Sequence, residues 1–101
     1  MFIYNVTSKV TWAIHDEWIA WMKEIHTKAV VDTGCFTSVT ILRLLEVEEE
    51  EGPTYAIQYV AESKSLYNQY IEKFAPAFKQ EIFNKWGDNF IAFRSLMQVV
   101  N

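Results

Sequence analysis

Hydrophobic residues in this chain recur with two different spacings, and the order in which those spacings alternate leaves few folds open. From Met1 to about Val10 the residues are β-branched and aromatic, which predicts a strand. Trp18, Trp21, Met22, Ile25 and Ala29 then stand at i, i+3, i+4, i+7 and i+11, the stripe of a helix lying on a core, with Glu24 and Lys28 as a favourable i,i+4 pair elsewhere on its surface. This helix is expected to begin between Thr11 and Ile14, with Thr11 as its cap, and to end before Gly34. Cys35 to Glu48 is again β-branched and aliphatic, Glu48 to Pro53 reads as a turn, and Thr54 to Glu62 as the return strand of a hairpin. A second helix is expected from about Ser65 to Trp86, with Tyr67, Tyr70, Ile71, Phe74, Phe78 and Ile82 on one stripe and Gly87 as its stop. Pro76 inside it predicts a break near Phe74 to Pro76, because proline removes a backbone bond and clashes with the preceding turn. Phe90 to Val100 reads as the last strand.

The resulting order, β-α-β-β-α-β, predicts an α+β ferredoxin-like domain over residues 1–101: a four-stranded antiparallel sheet with two helices on one face. With 101 residues, half of them hydrophobic and sixteen aromatic, against three glycines and two prolines, the chain has a core to build and no disordered or repetitive composition. An antiparallel sheet with one bare face should be polar at one strand parity. Here both parities carry large apolar residues: Phe36, Leu42 and Leu44 alternate with Val39, Ile41 and Leu45, and Ile91, Phe93 and Met97 with Ala92 and Leu96. Two helices cover one face only, so the open face is expected to pair with the sheet of a second copy, giving a homodimer; the alternative is that its apolar residues are merely scattered.

Nine basic against thirteen acidic residues, a net charge of −4, is the wrong sign for neutralising phosphate backbones, and no strand carries the glycine of an RNA-reading sheet, so nucleic-acid binding is not expected. The absence of G-x-G-x-x-G, a P-loop, a nucleophile elbow and H-E-x-x-H argues against nucleotide-dependent and the commoner hydrolytic chemistries, and no Cys/His spacing fits a metal. No cofactor is expected. One cysteine, no signal-type N-terminus and no long uncharged apolar run predict a cytoplasmic protein with no membrane span.

His26 is the best single candidate for proton chemistry: it follows Trp18 and Met22 by successive steps of four, at the edge of the apolar stripe, where an imidazole held near a cavity can titrate near neutral pH. The competing interpretation is a helix-end residue bonded to a last-turn carbonyl or facing water. His15, eleven residues earlier, is about three turns away, too far to share a metal. Asn5, Arg43, Gln58 and Arg94 sit mid-strand among apolar neighbours, with Tyr59 or Tyr55 nearby, and are expected to point away from the helices into the space between paired sheets, the arginines clamping a small anion. Ion pairs that fix dimer register, with Glu46 and Glu62 as the acids, are the alternative. Trp18 and Trp21 read as core, Cys35 as a buried small hydrophobe, and the glutamate run as a solvated hairpin tip.

Tyr4-Asn5-Val6-Thr7, Glu17-Trp18-x-x-Trp21-Met22 with His26 one turn on, Thr33-Gly34-x-Phe36, Tyr55-x-x-Gln58-Tyr59 and Phe93-Arg94 together resemble a small bacterial family known only as a domain of unknown function, number 4286. The resemblance spans nearly the whole chain and implies the ferredoxin-like, dimeric α/β-barrel fold, with no known activity. Two functions stay open: a homodimeric small-molecule-binding or interaction module without nucleotide or metal chemistry, and, by fold-level analogy with other dimeric α/β barrels, a cofactor-independent oxygenase or isomerase acting on a small anionic or aromatic substrate between the sheets.

Overall fold

Residues 1–101 are described by a computed structural model. Strand β1 (Phe2–Val10) leads into a helical body made of α1 (His15–Trp21), a wide π-helical turn (Met22–His26) and α2 (Thr27–Asp32). Strands β2 (Ser38–Arg43) and β3 (Thr54–Ala61) form the hairpin, helices α3 (Lys64–Lys73) and α4 (Ala75–Trp86) follow, and β4 (Phe90–Gln98) closes the chain. The sheet order is β2-β3-β1-β4 with every pairing antiparallel, the ferredoxin-like arrangement expected from the element order. Three helical bodies replace the expected two, because the second is cut at Phe74, with Pro76 in the first turn of α4 where its missing N–H is harmless. Gly87 stops α4 at φ 57°, a left-handed backbone that glycine adopts without strain.

Two boundaries differ from expectation. Thr11 does not cap the first helix: Ile14 precedes it without a side-chain cap, and the Thr11 hydroxyl bonds Asn89 instead. The glutamate segment is not a free tip, since Trp12 donates from its backbone to the Glu51 carbonyl at 3.1 Å and from Nε1 to that of Glu49 at 2.9 Å, fastening the connection to the end of β1. Gly52 is required by this docking. A Cβ there would lie 1.6 Å from the Val10 carbonyl oxygen.

The core fills the space between sheet and helices, centred on Trp18, Val10, Val30 and Ile57. Beside it Tyr4, Phe36, Tyr59 and Tyr70 form an aromatic cluster with ring centroids 4.9 to 6.0 Å apart. The strand register fixes which residues face the helices. Tyr4 is paired with Tyr59 and Leu96, Val6 with Ile57 and Arg94, and Ser8 with Tyr55 and Ala92, so these share the helix side. Asn5, Gln58 and Ser95 occupy the opposite face with Ile91, Phe93, Met97 and Leu42. That face has no helix over it and is mixed, with a polar row of Thr40, Gln58, Asn5 and Ser95 across its middle and large bare apolar residues on β4, where Phe93 is 66 % exposed and Ile91 56 %. Its only charged side chain is Lys9, at the end of β1. No helix is long and apolar enough to cross a membrane.

Candidate functional site

His26 reaches the interior through the wide turn that precedes α2. The Thr27 N–H donates to the Met22 carbonyl, five residues back, and the Thr27 hydroxyl donates to the same oxygen at 2.7 Å. The extra residue in this turn rotates everything after it by one position. A straight α-helix would have buried Ile25 and Ala29, as the spacing predicts; instead Ile25 is 54 % exposed while His26, Thr27 and Val30 are buried. The imidazole stacks on Trp21 with centroids 5.0 Å apart and meets the edge of Phe78 at 5.5 Å. His26 thus lies beside the cavity by a route that α-helical periodicity does not contain, and its pKa falls below the near-neutral range expected of a histidine at the helix edge.

The cavity lies between the helices and the sheet. Its walls are mostly apolar, and its polar groups converge from every neighbouring element: Tyr4 and Ser8 from β1, Tyr59 from β3, His26 from the wide turn, Tyr70 from α3, Lys79 from α4 and Arg94 from β4. Its free volume is about 30 Å³, room for a few atoms. An aromatic ring needs a cavity of roughly 150 Å³, so the pocket at this size excludes aromatic ligands.

Charge is distributed unevenly around it. The lining residues that carry formal charge are Lys79 and Arg94, and no carboxylate lines the pocket of a chain whose net charge is −4. The ion pairs are Lys9–Glu48, His15–Asp16 and Arg43–Glu49, so neither pocket cation has an acidic partner within the protein. Burial, reinforced by the positive charge of Arg94, lowers the pKa of His26 from 6.5 to about 4, so the imidazole is neutral at pH 7. Its Nδ1 is buried with no hydrogen-bond partner. Burial likewise holds Tyr59 and Tyr70 protonated, and Tyr4 too, although there Arg94 opposes the shift.

The structure divides the residues expected to act together. His26, Tyr59 and Arg94 line one pocket on the helix side. Asn5 and Gln58 lie on the open face, where Gln58 Nε2 donates to Asn5 Oδ1 at 3.3 Å and Asn5 Nδ2 donates to Thr7 at 2.9 Å. Arg43 is at the end of β2, held by Glu49 at 2.7 Å with its guanidinium 6.0 Å from the Trp12 ring centre. The expectation that all four polar strand residues face away from the helices is therefore corrected: Arg94 pairs with Val6 and Arg43 with Tyr55, which gives both the helix-side parity. Neither Glu46 nor Glu62 pairs with an arginine. His15 stands apart from His26, with its Nε2 2.7 Å from the Tyr55 hydroxyl. Sequence reasoning missed Tyr4, Ser8, Tyr70 and Lys79 as site residues. The signal for Tyr4 and Ser8 was their shared parity with Val6 and Val10, which places them with the core rather than with Asn5.

The model of the family described as Domain of unknown function (DUF4286) matches residues 1–100. Among solved structures, a dimeric ferredoxin-like protein from an uncultured marine organism is similar at a TM-score of 0.70 and 16 % identity, over 100 % of this chain and 96 % of that one. An ethyl tert-butyl ether d (ethd) family protein from Bacillus halodurans C-125 is similar at 0.67 and 9 % identity, over 99 % and 100 %. No curated protein matches the chain. At such identities the structural likenesses establish the fold alone.

Proposed function

The chain belongs to the domain-of-unknown-function family DUF4286, and from that premise we propose that it is a homodimeric small-molecule-binding module, each protomer holding its ligand between helices and sheet, the two protomers joined through their open sheet faces. Its main support is the placement of His26: a buried imidazole with an unpartnered Nδ1, in an apolar pocket that also takes in Arg94, which has no acidic partner. A buried polar atom without a partner costs about 1–3 kcal/mol. Such a cost is typical of a site shaped for a ligand, and an apolar pocket with a few converging polar groups is where small molecules bind. Binding is favoured over catalysis by the same geometry, since an imidazole whose pKa is about 4 is a poor general base at neutral pH.

The dimer rests on the open face. Ile91, Phe93, Met97 and Leu42 are each more than two-fifths exposed on a face whose one charge is peripheral, and a similar fold is described as dimeric. Light scattering on the purified 11.9 kDa chain is expected to give twice that mass at micromolar concentration, and Phe93→Lys to give the monomer. A monomeric wild type would refute the dimer. For the pocket, His26 ring resonances are expected to move in a screen of small probes of few atoms; probes that move only resonances of Asn5 and Gln58 would place binding on the open face instead.

A further inference from the structure

The pocket differs from an ordinary apolar cavity in the sign of the charge around it. Resting on the pocket reading above, we propose that its ligand is a small carboxylate or oxyanion, held by the Arg94 guanidinium and the Lys79 ammonium and reaching the imidazole of His26. Both cations are exposed to solvent, line the pocket and lack an acidic partner, whereas Arg43, the other strand arginine, is neutralised by Glu49. A planar guanidinium offers two parallel donors to a carboxylate, and lysine adds a point charge without demanding a geometry. The free volume of about 30 Å³ selects an anion of a few heavy atoms.

The anion binds with a proton. The polar and titratable groups that share the pocket with His26 are Tyr4 and Ser8 from β1, Tyr59 from β3, Tyr70 from α3, Lys79 from α4 and Arg94 from β4, and Lys85 of α4 lies over the ring of the stacked Trp21; none is acidic, and the phenols stay neutral. On its own helical body, Lys23, Glu24 and Lys28 are exposed. Burial is the larger cause of the neutral imidazole and the charge of Arg94 the smaller; a negative charge set between Arg94 and His26 offsets the second and attracts the imidazolium against the first, so binding raises the pKa of His26 and is coupled to proton uptake. Binding then strengthens as pH falls, by up to about tenfold per pH unit within the range separating the free and bound pKa values of His26.

Acetate, with acetamide as the neutral probe of the same shape, distinguishes this from pocket binding of another kind. Each is titrated into the intact protein to tens of millimolar, at about pH 5.5 and about pH 7.5, while the His26 ring resonances are followed. Acetate is expected to saturate, to shift His26 and to bind more tightly at the lower pH. Arg94→Met is expected to weaken it by about tenfold to a hundredfold, the worth of a charge-assisted hydrogen bond, and Arg94→Lys to recover part of the loss. His26→Gln is expected to retain binding and lose its pH dependence. Acetamide binding as well as acetate, or an affinity untouched by Arg94→Met, overturns the anion while leaving the pocket; equal acetate affinity at the two pH values overturns the proton uptake. If neither probe moves His26, anion and pocket both fall.

Discussion

Replacing His26 by glutamine should remove much of the acid sensitivity of folding in mildly acidic solution. The folded protein keeps this imidazole neutral down to about pH 4, whereas in the unfolded chain it takes up its proton near 6.5. Between those values the unfolded state binds more protons. The contribution is therefore fully present above pH 6.5 and is lost progressively as pH falls to 4. At about 1.4 kcal/mol per pH unit the loss across the window is about 3 kcal/mol, against a total stability on the order of 5–15 kcal/mol for a domain. His26 is only 5 % exposed, so solvent screening does little to reduce the effect. The assay is urea unfolding of wild type and His26→Gln at one protein concentration, in buffers free of small carboxylates, between about pH 7.5 and about pH 4.5. Exposed carboxylates titrate alike in both proteins and cancel in the difference, which should widen towards neutral pH in favour of the wild type's slope. Parallel loss of stability in the two proteins would refute a buried, neutral His26.

Three further substitutions test the supports of the site. Gly52→Ala places a Cβ 1.6 Å from the Val10 carbonyl oxygen, so the connection must lift off β1; a destabilisation of about 2 kcal/mol or more is expected in a thermal melt, and an unchanged melt would contradict the docking. Thr27→Val removes the 2.7 Å hydroxyl bond to the Met22 carbonyl at a buried position, lowering stability by about 1 kcal/mol and the melting temperature by about 4–8 °C, with His26 resonances displaced. Arg43→Met should leave both the melting temperature and acetate binding unchanged, because its pair with Glu49 is exposed and distant from the pocket; a loss of binding would return Arg43 to the site.

Element order was legible because each segment holds its own periodicity, and the break at Pro76 and the stop at Gly87 follow from backbone chemistry that one residue determines. The wide turn was not. Its extra residue is stabilised by the backbone and hydroxyl of Thr27, and no spacing announces it, so the stripe drawn through Ile25 and Ala29 is one residue out of phase with the buried one through His26 and Val30. The parity of β4 misled for a different reason. Ile91, Phe93 and Met97 on one parity and Ala92 and Leu96 on the other are both apolar sets; in the fold the first is left bare, and Arg94 shares the helix-side parity of the second. Once a sheet has apolar residues on both faces, hydrophobicity no longer says which face the helices take. Lys79 was hidden in the same way, since a lysine beside Phe78 on a helix reads as solvent-facing until α3 and α4 are set against the sheet.

A crystal structure of the protein grown with acetate tests most directly whether the site lies beneath the helices. The account predicts one acetate per protomer, its carboxylate against Arg94 and Lys79 and its other end towards His26. Acetate bound instead between paired sheets, beside Asn5 and Gln58, would contradict it.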